Sequence, residues 1–291
     1  MPTPIHSPSA RPHLRLFLLS ILIAPIAFAA ELPLLYLKES GDGPKSNVWQ
    51  GAVKYLPGSD EQTPETYELD TKVQITRREL IPINRNKTYR LSGAFRSASQ
   101  NPPASAYFGV IMYDADKKMI TMQQVGVFPE TDLTLPKNVH ERDTRILLPL
   151  SQKWLDTPYK AIAFHAKSDL SDLPNFRISP RVIALEAMDE NFMEAVLQKP
   201  LDAAYPAGTN LRLHIPWATP LYWIADEWVP TEWKTYSQNI SGEAPSGTPT
   251  DQFWKGTRYV RVLVQLGNWN RVPEEGARLL FKDISFSEIS P

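Results

Sequence analysis

The sequence predicts an all-β protein, a β-sandwich of the jelly-roll type. Prolines number 27 against 13 glycines in 291 residues and are spread along the chain, where they interrupt helical patterns and keep strands short. The clearest hydrophobic periodicities are alternations of two residues, the signature of a half-covered sheet. Only one short window, Leu185 to Leu197, is compatible with a helix, and it reads equally well as a strand.

The first element is a leader. Arg11, His13 and Arg15 precede an apolar run from Leu16 through Ala30, and no acid stands before it. That run is shorter than the roughly 20 residues a spanning helix needs. Pro25 ends it, and Ala27-Phe28-Ala29 places small residues where a signal peptidase reads them, so residues 1–29 are expected to be a signal peptide cleaved after Ala29. No cysteine follows to accept a lipid. The remainder, 30–291, is expected to be a single extracytoplasmic domain, periplasmic or secreted, with no membrane contact after cleavage.

Among the strands, Lys72 to Thr76 and Glu79 to Ile83 read as a pair, and Asn84 to Lys87 as the turn that follows. From Tyr89, apolar Tyr89, Leu91, Gly93 and Phe95 alternate with Arg90, Ser92, Ala94 and Arg96. Ala106 to Tyr113 is continuously apolar, and Asp114 to Lys117 is the turn of a hairpin closed by Met119 to Met122. Thr144 to Leu150, Lys160 to Ala166 and Arg177 to Leu185 are candidate strands in a less regular middle. Pro206 to Thr209 turns the chain into Asn210 to His214. Toward the end come Trp233 to Ile240, Thr257 to Leu266 and Arg278 to Ile289. In Thr257 to Leu266 the valines at 260, 262 and 264 face the core, and Arg261 and Gln265 face outward.

Charge and cysteine content remove several function classes. Lys plus Arg number 31 and Asp plus Glu 32, interspersed, which gives no field to draw nucleic acid or anionic lipid. Without cysteine there is neither a disulfide scaffold nor a thiol-bound metal, so the fold rests on its buried core.

The segments Tyr89 to Ser97, Tyr107 to Gly109 and Tyr113 to Ile120, with Pro230 to Tyr236, Ile240 to Gly242, Phe253 to Arg261 and the last strand, resemble jelly-roll carbohydrate-binding modules of galactose-binding-like fold in bacterial surface and phage tail proteins. The resemblance covers about two thirds of the chain after the leader. It implies a mostly-β insertion at about 130–215, from near Arg142-Asp143-Thr144 to Pro206-Ala207-Gly208-Thr209. It carries over no ligand residue.

A sugar presents C–H faces and a hydroxyl rim, so its binding site needs an uncovered flat ring with polar groups beside it. Trp217, Tyr222, Trp223, Trp228, Trp233, Tyr236, Trp254 and Trp269 concentrate in the last third of the chain, and most are expected to fill the core. Trp223, Trp228 and Trp269 stand beside expected loops, with Asp226 and Asn268 among them, and form the candidate glycan site. Arg96, Arg261 and Gln265 would join a polar face if their strands were neighbours in one sheet.

Asp114 and Asp116 form a weak calcium candidate that turn chemistry explains equally. No cofactor is expected, although structural calcium is compatible with the resemblance. His140, His165 and His214 show no metal-binding spacing, and no Gly-x-Ser-x-Gly or phosphate-cradling loop occurs. Asn86-Lys87-Thr88 and Asn239-Ile240-Ser241 read as chance matches to a glycosylation pattern. The expected function is non-catalytic glycan recognition. The alternatives are a structural or adhesive surface protein and a polysaccharide-acting enzyme with paired carboxylates.

Overall fold

The computed structural model describes residues 48–57, 66–70, 73–219, 221–267 and 274–289, with the backbone alone for 221–227. The expected leader and the expected cleavage point after Ala29 lie outside the described residues, as do Asn268 and Trp269.

In chain order the elements are β1 (Trp49–Gln50), β2 (Lys54–Leu56), β3 (Thr66–Leu69), β4 (Gln74–Arg77), β5 (Ile81–Pro82), β6 (Thr88–Ser97), β7 (Ser105–Tyr113), β8 (Met119–Ile120) and the short helix α1 (Met122–Val125). A middle stretch holds β9 (Leu133–Thr134), β10 (Arg145–Pro149), α2 (Gln152–Asp156), β11 (Ala161–Phe164), β12 (Val182–Ala187), β13 (Phe192–Leu197) and β14 (Asn210–His214). The chain closes with β15 (Leu221–Trp228), β16 (Lys234–Ser241), β17 (Tyr259–Leu266) and β18 (Leu279–Ile289).

Two antiparallel sheets make an all-β sandwich. The larger runs β1-β4-β17-β7-β15, with β5 on β17 and β8 on β7, and the smaller runs β16-β6-β18-β3-β2. From β3 onward the chain crosses repeatedly between them, β6 in one and β7 in the other, β16 and β18 in one and β17 in the other. Alternation drives this layering on β6 and β17, which each offer one apolar row, while β7 is buried along both faces. Leu91 and Phe95 on β6 and Phe281 and Phe286 on β18 bury against Phe108, Val110 and Met112 on β7 and the β17 valines. Phe95 and Phe108 meet between the layers with ring centroids 4.8 Å apart. Gly93 keeps this space clear, since a Cβ there would lie 2.4 Å from Cδ1 of Ile284 and 2.9 Å from Cε2 of Phe95.

The middle stretch builds two three-stranded sheets, β10-β13-β12 and β11-β14-β9. They bury a separate core that includes Ile146, Leu148, Trp154, Ile162, Phe164, Met193, Leu211 and Leu213. The helix-compatible window from 185 to 197 is a β-hairpin. Met193, Ala195 and Leu197 bury on one face of β13, a period of two, and Oδ1 of Asp189 accepts from the N–H groups of Asn191 and Phe192 at 2.8 Å each, which closes the turn. Two chain segments tie this unit to the sandwich: Phe128 N–H donates to the Leu213 carbonyl and Ile215 N–H to the Gly126 carbonyl, each at 2.9 Å.

Candidate functional site

The structure sorts the sequence candidates onto different surfaces. Trp223, Asp226 and Trp228 belong to strand β15 rather than to loops, and β15 pairs with β7, which pairs with β17. The eight-residue β15 escapes a simple alternation reading because its register against β7 shifts twice, between Tyr222 and Ile224 and between Ile224 and Glu227. Trp228 stands opposite Ser105 and is 48% exposed. Arg261 and Gln265 share that sheet, and the β17 alternation points them outward as expected. The guanidinium of Arg261 lies 5.5 Å from the ring centre of Tyr113, and Gln265 Nε2 donates to the Gly267 carbonyl at 3.1 Å. Burial pushes the Tyr113 phenol above its ordinary range, against the pull of Arg261.

Arg96 does not join them. Its strand β6 lies in the smaller sheet, so Arg96 and the Arg261–Gln265 pair project from opposite outer faces of the sandwich, and one continuous polar face is ruled out. There Arg96 and Lys282 flank the Trp233 ring, 5.2 and 4.9 Å from its centre. Asp114 acts as a turn residue, its Oδ1 accepting from the N–H groups of Asp116 and Lys118 at 3.0 and 2.8 Å. Among the described residues no three His, Asp or Glu side chains converge as metal ligands.

The middle unit carries a cleft of about 420 Å³, lined by residues 155 and 157–160 on one side and residues 181–185 on the other. That volume falls in the range of small-molecule sites, roughly 300–1,000 Å³. Tyr159 is 57% exposed, and Trp217, 47% exposed, extends the aromatic surface beside it. The two ring centroids are 5.9 Å apart with planes at 43°, and Arg181 places its guanidinium 5.0 Å from the Tyr159 ring centre. Ile183 completes the wall. It lies at the register shift between Val182 and Ala184, which takes it out of the β12 core row and leaves it 60% exposed.

Each of these side chains is held by a local device. Ser151 caps α2 by accepting from Trp154 N–H, and Thr157 Oγ1 donates to the Lys153 carbonyl at 2.7 Å as the helix ends. Lys160 folds its ammonium back to donate to the Trp154 and Leu155 carbonyls, satisfying carbonyls the helix end leaves without an intrahelical donor. Burial lowers the Lys160 pKa and nearby Asp156 opposes the change. Between these anchors Tyr159 sits at φ 41°, a left-handed conformation costly for a bulky residue, which swings the ring outward. Arg181 is fixed through its backbone, its carbonyl accepting from Gln198 N–H at 2.8 Å and the next residue, Val182, donating to the Lys160 carbonyl at 2.9 Å.

The segment bearing Trp217 is pinned at both ends to α1 and its neighbourhood. The Thr219 carbonyl accepts from Met122 N–H at 3.1 Å, and at the other end stands His214, fully buried. His214 Nδ1 lies 2.8 Å from the Gln123 carbonyl, and its Nε2 lies 3.3 Å from Nε and 3.2 Å from Nη2 of Arg212. Arg212 also pairs with Asp172 at 2.8 Å and donates to the Lys167 carbonyl at 2.9 Å. Asp172 in turn accepts from Asn175 Nδ2 at 2.9 Å.

Tyr159, Arg181 and Ile183 are absent from the sequence candidates, and Trp217 stands there only as one indole among several. The available signal was local: Tyr159 follows Pro158, and Trp217 follows Pro216 just after a predicted strand. No family model, curated protein or solved structure matches the chain.

Proposed function

We propose that this protein is an exported, non-catalytic glycan-binding protein and that the Tyr159–Trp217 cleft is its sugar site. One observation carries the reading: two uncovered rings inclined at 43° beside a half-open cleft of about 420 Å³, with a guanidinium at its wall. Inclined rings accept the C–H face of a pyranose, and Arg181 supplies N–H donors at its rim. Export rests on the leader read from the sequence. The chain's repeated crossing between the two sheets is compatible with a jelly roll, the architecture implied by the resemblance to carbohydrate-binding modules.

A glycan array probed with the wild-type protein and with Trp217→Ala tests the reading. Binding that falls at least about tenfold in Trp217→Ala, with the circular dichroism unchanged, supports it. Absence of binding to every neutral and acidic glycan overturns it. Trp228→Ala serves as the comparison, because Trp228 lies on the sandwich rather than on the cleft.

A second reading, adhesion through protein contact, is favoured by the exposure of Ile183 and Met188, 60% and 59%, on the β12–β13 hairpin unit. Sedimentation at rising concentration separates the two, since self-association that Ile183→Ser and Met188→Ser abolish belongs to the second alone.

A further inference from the structure

The charged groups that line the cleft are of one sign. Arg181 and Lys160 both contribute to its wall, and among the described residues no Asp or Glu does. Arg181 has no carboxylate partner among the described residues. Its guanidinium carbon lies 5.0 Å from the centre of the Tyr159 ring, and the residue is exposed. Lys160 is only 6% exposed, with its ammonium spent on backbone carbonyls, so it acts on the cleft through its field rather than by contact. Asp156 and Glu186, adjacent in sequence to lining residues, stand outside the lining, and Asp156 accepts from Gln152 Nε2 at 2.7 Å. Elsewhere on the surface, exposed cations do find acids, as Arg145 does with Glu194 and Lys87 with Glu288.

A guanidinium fork braced beside a flat ring matches a planar carboxylate on a six-membered sugar, since two parallel N–H···O bonds engage the carboxylate while the ring face rests on an indole. We infer that the cleft selects saccharides bearing a carboxylate, uronate residues, with Arg181 receiving the acid group and Trp217 the sugar face. The inference rests on the glycan-binding reading and refines it from sugar in general to acidic sugar.

Matched probes test it: an oligogalacturonate and the same oligosaccharide fully methyl-esterified, titrated calorimetrically into the full-length protein after removal of any leader. The acid form is expected to bind at least about tenfold more tightly than the ester. Arg181→Gln is expected to bring the acid form down to the affinity of the ester, and Trp217→Ala to weaken both forms together. Raising sodium chloride should weaken the acid form alone. Equal affinity for acid and ester, or a preference that survives Arg181→Gln, overturns the inference. Binding of neutral glycans with none of the acid form overturns it too, yet leaves the sugar-site reading intact. Failure of every glycan removes both.

Discussion

Arg212 donates to Nε2 of His214, and because a guanidinium carries only donors, that contact fixes the imidazole as neutral with its proton on Nδ1, directed at the Gln123 carbonyl. Burial first, and Arg212 second, pull the His214 pKa down to about 4, while the Gln123 hydrogen bond opposes them. The pair joins the end of β14 to α1, and the Trp217 segment continues directly from it.

Acid sensitivity follows from this pair. Below the ordinary histidine value of 6.5 the unfolded chain binds a proton that folded His214 refuses until about pH 4. The His214 contribution is therefore expected to be constant above about pH 7 and to lower stability as pH drops from about 6.5 to 4, by at most about 1.4 kcal/mol per pH unit. Urea unfolding across that range checks it. His214→Gln, which can keep an acceptor toward Arg212, should remove the histidine part of the slope, and an unchanged slope would show that other groups govern it.

Asp172 and Arg212 are 7% and 3% exposed, so removal of the acid strands a buried cation. Asp172→Ala is expected to cost about 3–5 kcal/mol. Hydrogen exchange should place the loss in the middle unit, around β14 and the Lys167 to Asn175 loop, before the sandwich strands.

Gly256 takes φ +84°, and a Cβ there would meet Cδ of Pro174 at 2.4 Å. Gly256→Ala therefore combines a left-handed alanine with a clash where the sandwich touches the middle unit, and about 1–3 kcal/mol of destabilisation is expected. Thermal melting measures it.

Trp217→Ala removes a half-exposed ring and is expected to change stability by no more than about 0.5–1 kcal/mol, whereas Trp154→Ala, fully buried with its Nε1 donating to the Thr131 carbonyl at 2.8 Å, should cost about 3–5 kcal/mol. Denaturant midpoints of the two variants, measured side by side, test whether exposure divides binding aromatics from core aromatics as placed here.

The alternation of Tyr89, Leu91, Gly93 and Phe95, and of the β17 valines, determined by itself that these strands bury one face, since a two-residue period has no other stable use in a soluble sheet. Proline spacing determined that the strands would be short, and the Asp114 turn was legible for the same local reason. The window from 185 to 197 was not legible, because its Leu, Ala, Met and Val positions fit either period, and the pairing of β13 with β12 and β10 decided for strand. The sheet assignment of Arg96 was equally hidden: alternation fixes which way a side chain points, not which layer its strand joins. The Tyr159, Arg181 and Trp217 grouping was decided by the tertiary structure alone. Three segments meet there, the first two through the Val182–Lys160 backbone hydrogen bond and the third held by the His214 side chain on the Gln123 carbonyl, and a surface assembled by such contacts leaves no periodic trace in any one of them.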